Sequence, residues 1–244
     1  MPKTILITGS SRGIGRATAE LAHAKGYTVI VHGKSDSQAL QTVHESLKGS
    51  YKLVFDVADS DATHKVIGGF ISSHGAIDIL VNNAGIAKNF LKDISEVSDE
   101  HALEEYKVNV LGTIHCIQAV LAGMLKKGGS VINVASIKAS FNLATMSTLT
   151  YATTKSGVLS LTKSLAKAYP TVRFNAISPG YVETDQVSDW NDETFERINN
   201  GTILGRIARP AEIAPLILFL ASDDASYITG TEFLVDGGYS IKGK

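Results

Sequence analysis

Tyr151 and Lys155 stand four residues apart, so on a helix they share one face and their side chains can approach. A phenol titrates near pH ~10 and is a poor acid or base at neutral pH. An adjacent ammonium favours the phenolate, which is expected to bring Tyr151 toward useful general acid–base chemistry. Ser136 lies upstream, after the apolar run 131–135, where its hydroxyl could polarise a carbonyl or an alkoxide. Asn109, ahead of a long apolar segment, could hold a water linking Lys155 to solvent. Together these four residues read as one catalytic site that moves a proton at an oxygen atom.

Short β-branched runs alternate with segments of helical period, the pattern of repeated βαβ units. Strands are expected at 5–8, 28–31, 52–55, 79–81, 130–135, 173–177 and 232–235. Several are apolar throughout, as suits parallel strands covered on both faces. Residues 17–22 suit a helix that Gly26 is placed to end. Right-handed crossovers make one doubly wound sheet the economical solution. The expected architecture is therefore α/β: a single-domain Rossmann fold over residues 1–244, with about seven parallel strands and helices on both faces. The polar stretch 186–204, which carries Trp190, breaks this rhythm and is expected to form a lid over the substrate.

The first strand runs into Thr8-Gly9-Ser10-Ser11-Arg12-Gly13-Ile14-Gly15 and then a helix. Glycines at this spacing allow a tight turn and close backbone approach to phosphate, with free amides at the helix N-terminus facing a pyrophosphate. Sites specific for NAD usually place a carboxylate at the end of the second strand to bind the ribose hydroxyls. Here that strand ends His32-Gly33-Lys34-Ser35, with Gly33 near the acidic position. Arg12 and Lys34 could pair with a 2′-phosphate, so NADP(H) is the expected cofactor, with NAD(H) left open. Asp56, followed by Val57, closes the third strand and could accept from an adenine amino group. Asn82-Asn83-Ala84-Gly85 follows the fourth strand at the same sheet edge, where small residues and amides let a cofactor lie against backbone. With a nicotinamide bound, the proton chemistry of Tyr151 becomes half of a hydride transfer.

The bulk properties narrow the alternatives. A formal net charge of -1 gives no general reason to bind nucleic acid or an anionic membrane. Seven histidines show no ligand-like spacing, and no metal site is expected. The single cysteine, Cys116, excludes an intramolecular disulfide framework and reads as a small buried hydrophobe. The apolar stretch 110–125 is interrupted by Thr113, His115 and Gln118 and is short for a membrane span. With the first strand beginning almost at Met1, the expectation is a soluble, cytoplasmic protein without a signal peptide.

With these pieces in this order, the sequence resembles the short-chain dehydrogenase/reductase family over essentially its full length. The matching pieces are 8–15, Asp56, 82–85, Asn109, Ser136, Tyr151/Lys155 and Pro179-Gly180. The resemblance implies an Asn109–Ser136–Tyr151–Lys155 tetrad. It also implies that Pro179, Gly180, Val182 and Thr184 contact the nicotinamide half, with Thr184 near the pyrophosphate. The tail, through Val235-Asp236-Gly237-Gly238, looks most like 3-oxoacyl-carrier-protein reductases, which implies carbonyl reduction, an acyl-carrier protein as candidate partner, and a homotetramer or homodimer. Lys126 and Lys127 are the candidate docking cations for such a carrier. The competing expectations are a dehydrogenase of a sugar, polyol or steroid alcohol, and a non-catalytic NADPH-binding regulator. Two departures from the family stand out: the segment between Ser136 and Tyr151 is longer than usual, and the helix after Lys155 is cut short by Pro170.

Overall fold

The computed structural model describes residues 2–88, 91–139, 143–184 and 190–242. Seven strands form one sheet: β1 (Thr4–Ile7), β2 (Thr28–Gly33), β3 (Tyr51–Val54), β4 (Ile79–Asn82), β5 (Gly129–Val134), β6 (Val172–Pro179) and β7 (Glu232–Val235). All pairings are parallel, in the order β3-β2-β1-β4-β5-β6-β7. The order reverses between β1 and β4, and an open α/β sheet binds ligands in the crevice beyond such strand ends.

Alternation along the strands feeds two cores. Ile5, Ile7, Val29, Val31, Ile79 and Val81 face one side, where α1 (Gly13–Ala24), α2 (Gln38–Ser46) and α8 (Pro210–Ala221) cover them. Leu6, Ile30, Leu80, Val131 and Phe174 face the other, under α3 (Ser60–His74), α5 (Gly112–Lys127) and α6 (Leu149–Ala168). Truncating such a fully buried leucine to alanine costs about 2–5 kcal/mol. Helix α1 ends as expected, with Gly26 in the left-handed region at φ 82°. Helix α6 runs its 20 residues to Ala168, just short of Pro170.

One helix is longer than the sequence suggested. Helix α4 (Asp99–Tyr106) continues through a π-helical turn, Lys107–Leu111, into α5, giving a rod of 29 residues. By length and composition this rod would suffice to cross a membrane, the one such helix among the described residues. Its apolar side, however, is spent on the sheet: Cys116, Ile117, Val120 and Met124 are buried in the second core. Burial pushes the Cys116 thiol up to about 12, in keeping with a small hydrophobe.

Candidate active site

The nucleotide crevice is built from the loops after β1 and β4. Asn83 Nδ2 donates to the carbonyls of Thr8 (2.9 Å) and Gly9 (3.0 Å). Thr8 Oγ1 accepts the amides of Asn83 and Ala84, both at 3.0 Å. The two loops are thus locked together across the switch point. A Cβ on Gly15 would lie 2.4 Å from the Gly9 carbonyl oxygen and 2.5 Å from Asn83 Nδ2, so only glycine fits. Gly9 and Gly13 hold φ values of 64° and 55°, in the left-handed region. Arg12, exposed at the start of α1, places no side-chain cap on the helix, and Ser11 and Ile14 flank it half-buried. Backbone amides of the first turn therefore stand ready for an anion. A Cβ on Gly13 would come within 3.1 Å of Thr184 Cγ2, so Thr184 sits over this loop. The cradle fits a dinucleotide pyrophosphate.

His32 holds the cradle in shape, a role that residue spacing alone does not reveal. It is buried at the end of β2, where Nδ1 accepts the Gly9 amide at 3.1 Å and Nε2 donates to the Phe55 carbonyl at 2.9 Å. Burial lowers its pKa to about 4, so it is neutral, with the proton on Nε2 as its partners require. Its amide donates to Ser10 Oγ at 2.8 Å. A polar residue at the buried end of a strand was the available signal.

At the adenosine end, a Cβ on Gly33 would meet Leu40 Cδ2 at 3.0 Å, so packing as well as charge disfavours a carboxylate there. The sequence assigned Lys34 and Asp56 to different parts of a ligand; the structure joins them, with Lys34 Nζ 2.8 Å from Asp56 Oδ2. Asp56 Oδ1 also accepts the Ala58 amide at 3.0 Å. Burial works against the Asp56 carboxylate, but the Lys34 and Ala58 hydrogen bonds outweigh it and hold its pKa below the usual range. Val57 is buried against Gly112 of α5 and accepts from His115 Nδ1 at 2.9 Å.

Ser136 leaves the end of β5, and Tyr151 and Lys155 project from the first turns of α6. Lys155 is buried, donates to the Val134 carbonyl at 2.8 Å, and lies 5.8 Å from the centre of the Tyr151 ring. Burial lowers its pKa to about 8. Ser136 is hydrogen-bonded to Tyr151. The expected drop in the Tyr151 pKa is not found. Burial raises it, the Glu105 carboxylate adds to the rise, and the Ser136 hydrogen bond only opposes them. The Lys155 ammonium is turned to Val134, which leaves the phenol protonated.

Asn109 sits in the π-helical turn, a feature common at functional sites. Its Oδ1 accepts the Ile86 amide at 2.8 Å, while Nδ2 donates to the Ile86 carbonyl and to Thr154 Oγ1, both at 2.9 Å. These bonds tie the segment after β4 to the π-helical turn and to α6. Gly85 is wedged beside it: a Cβ there would lie 3.2 Å from both Asn109 Oδ1 and Lys155 Nζ. A buried amide ladder, Asn82 to Asn133 (2.9 Å) to Thr162 (2.8 Å), fixes β4, β5 and α6 beneath the site.

Pro179 ends β6, and Gly180 donates its amide to the Val235 carbonyl at 2.9 Å. Val182 is buried and bridges to Ala208. Of the expected lid, residues 186–189 lie outside the described residues; the rest carries α7 (Asp192–Gly201). Residues 141 and 142 of the long segment also lie outside them, and Met146–Thr148 form a short 3₁₀ turn. Lys126 and Lys127 end α5 just before β5 begins, at the sheet edge opposite Ser136, so they are remote from the site.

Fold and site together define a Rossmann-type oxidoreductase. A family model described as enoyl-(acyl carrier protein) reductase matches residues 9–240. The 3-oxoacyl-[acyl-carrier-protein] reductase FabG of Vibrio harveyi is 39% identical over 97% of this chain and 96% of its own. The protein of that name from Thermotoga maritima is 36% identical over 98% of each chain. The crystal structure of gox2181 superposes with a TM-score of 0.93, at 27% identity, covering 98% of this chain and 96% of the other. The chain belongs to the short-chain dehydrogenase/reductase family. It is an oxidoreductase of CH–OH and C=O groups and uses a nicotinamide cofactor.

Proposed function

We propose that this enzyme reduces the ketone of a 3-oxoacyl thioester to a secondary alcohol with NADPH. The observation that carries this reading is a protonated, half-buried Tyr151 hydrogen-bonded to Ser136 and backed by Lys155, beside the glycine cradle. When bound, the dinucleotide supplies a hydride to the carbonyl carbon. Ser136 orients the carbonyl oxygen by donating a hydrogen bond, and Tyr151 gives that oxygen its proton. Lys155, as an ammonium, stabilises the phenolate left on Tyr151. Asn109 and Gly85 keep Lys155 and the segment after β4 in register. Gly9, Ser11, Gly13, Ile14 and Gly15 cradle the pyrophosphate with Thr184 above it. Asn83, Ala84, Gly85, Pro179, Gly180 and Val182 line the rest, and Asp56 and Val57 border the adenine.

NADPH is preferred in this reading because Arg12 and Lys34 flank the ribose end, where Gly33 replaces an acid. The acyl group would arrive on a carrier protein, and the enzyme would act in the cytoplasm as a homotetramer or homodimer. Exposed Phe219, Tyr227 and Leu234 near the edge strand β7 suit such an assembly. Intact Tyr151 and Lys155 speak against an idle regulator, and full-length likeness to two 3-oxoacyl reductases speaks against a sugar, polyol or steroid dehydrogenase. The test is NADPH consumption on adding a 3-oxoacyl thioester, with the 3-hydroxyacyl product identified by mass. Absence of that product with a substrate series of increasing chain length would overturn the proposal.

A further inference from the structure

We infer that the substrate pocket is built for a carbonyl compound carrying an anionic group, which Lys138 and Arg197 hold. This rests on the reductase reading above and adds a substrate class to it. Lys138 is tied to the chemistry by position: it follows Ser136 by two residues, and its amide donates to Ser136 Oγ at 3.2 Å. Its half-buried side chain reaches Leu143 and Tyr181. There Nζ donates to the Leu143 carbonyl at 3.0 Å and lies 5.8 Å from the centre of the Tyr181 ring. Tyr181 stacks edge-on against Trp190 (5.5 Å) and Tyr239 (5.0 Å), and Trp190 against Phe195 of α7 at 5.6 Å. Arg197 stands two residues beyond Phe195 on the same helix. An aromatic row of Tyr181, Trp190 and Phe195 thus runs from Lys138 to the helix that carries Arg197.

Neither cation has a carboxylate partner among the described residues. Burial first, and then the nearby Arg197 guanidinium, pull the Lys138 ammonium below the ordinary lysine range. A half-buried ammonium within electrostatic reach of a second cation is unfavourable on its own and gains when a ligand supplies the counterion. A plain hydrocarbon tail would leave that cost in place.

The test compares two thioesters that match in length, 3-oxoadipyl-N-acetylcysteamine and 3-oxohexanoyl-N-acetylcysteamine, which differ by a terminal carboxylate. A second arm compares 4-phosphonooxybutan-2-one with 4-hydroxybutan-2-one, and distinguishes phosphate from carboxylate as the anion. Affinity of the NADP complex for the corresponding alcohols is measured by calorimetry, apart from turnover. Wild type should prefer one anionic member by about tenfold or more, the scale of a charge-assisted hydrogen bond. Lys138→Met should bring that ratio close to one, and Arg197→Ala, an exposed change, should reduce it. Equal affinities within both pairs for wild type would overturn the inference, as would a preference that survives in both variants. A preference without any turnover would support the anion site and overturn the reductase reading instead.

Discussion

Glu105 and Asn109 stand one helical turn apart and grip the same short segment, Glu105 Oε1 accepting the Lys88 amide and Asn109 Oδ1 the Ile86 amide, each at 2.8 Å. Both side chains are buried, and together they fix the path of the chain beyond Gly85. Glu105 Oε2 is buried without a hydrogen-bond partner among the described residues, and the Glu105 charge contributes to raising the Tyr151 pKa. A buried carboxylate is thus both a clamp and an electrostatic neighbour of the proton donor.

Replacing Glu105 separates these roles. Glu105→Gln keeps an acceptor for Lys88 and removes the charge, so the Tyr151 pKa should fall. The higher-pH limb of kcat/KM for reduction, where Tyr151 itself is lost beyond the Lys155 step near 8, should move to lower pH with little change in Tm. Glu105→Ala abandons the Lys88 amide and should lower stability by about 1–3 kcal/mol. Identical pH profiles for wild type and Glu105→Gln would rule out the electrostatic role.

Lys155 opposes activity to stability. Its folded pKa of about 8 lies below the ordinary 10.5, so the unfolded chain binds the extra proton between those values. Stability therefore rises with pH across that window, and burying the ammonium at neutral pH costs on the order of 3 kcal/mol. Lys155→Met should raise Tm at neutral pH and lower kcat by about 10²-fold or more, since the phenolate loses its cation. Wild-type kcat/KM should decline as pH rises through about 8. A Tm that falls in the methionine variant would contradict the burial argument.

Lys34 should decide the cofactor without deciding the fold. Its ion pair with Asp56 is largely exposed, 73% at the lysine, and such pairs contribute at most about 1 kcal/mol. Lys34→Ala should therefore leave Tm nearly unchanged. The KM for NADPH should rise by roughly tenfold or more, the value of one charge-assisted phosphate contact, with the KM for NADH steady. Equal effects on both cofactors would remove Lys34 from the phosphate site.

The sheet was legible in the sequence because parallel strands covered on both faces announce themselves as short apolar runs, and all seven appear where Ile5, Val29, Leu53, Leu80, Val131, Phe174 and Phe233 predict. The tetrad positions were legible because Tyr151 and Lys155 obey helical spacing. What spacing cannot carry is the environment. The Tyr151 shift has the opposite sign to that expected, because burial and Glu105, both set by tertiary packing, outweigh the Ser136 hydrogen bond, while the Lys155 ammonium is turned to Val134. Asn109 was identified, but its hydrogen bonds to Ile86 and Thr154 depend on a π-helical turn that no periodicity shows. The pairing of Lys34 with Asp56 follows from β2 and β3 lying side by side, with strand ends that are distant in sequence.

His32 supplies the last prediction, an acid sensitivity located in the phosphate loop. The neutral ring joins Gly9 to Phe55, and its folded pKa of about 4 lies below the unfolded 6.5. Between these values the unfolded chain binds the proton and the folded chain does not, so stability is full above about 6.5 and declines as pH falls toward 4. The total loss is on the order of 3 kcal/mol. In His32→Leu the Gly9 amide and the Phe55 carbonyl lose their partner, so the variant should be less stable at neutral pH by about 1–3 kcal/mol. It has no such proton to bind, so its stability curve should be flatter across the same window, and the two curves should converge toward the acid end. Urea unfolding at a series of pH values measures both curves, and a parallel decline in the two would show that His32 is not the group responsible. Because Gly9 belongs to the cradle, the variant should also bind NADPH more weakly at neutral pH, which fluorescence titration of the cofactor reads independently of stability.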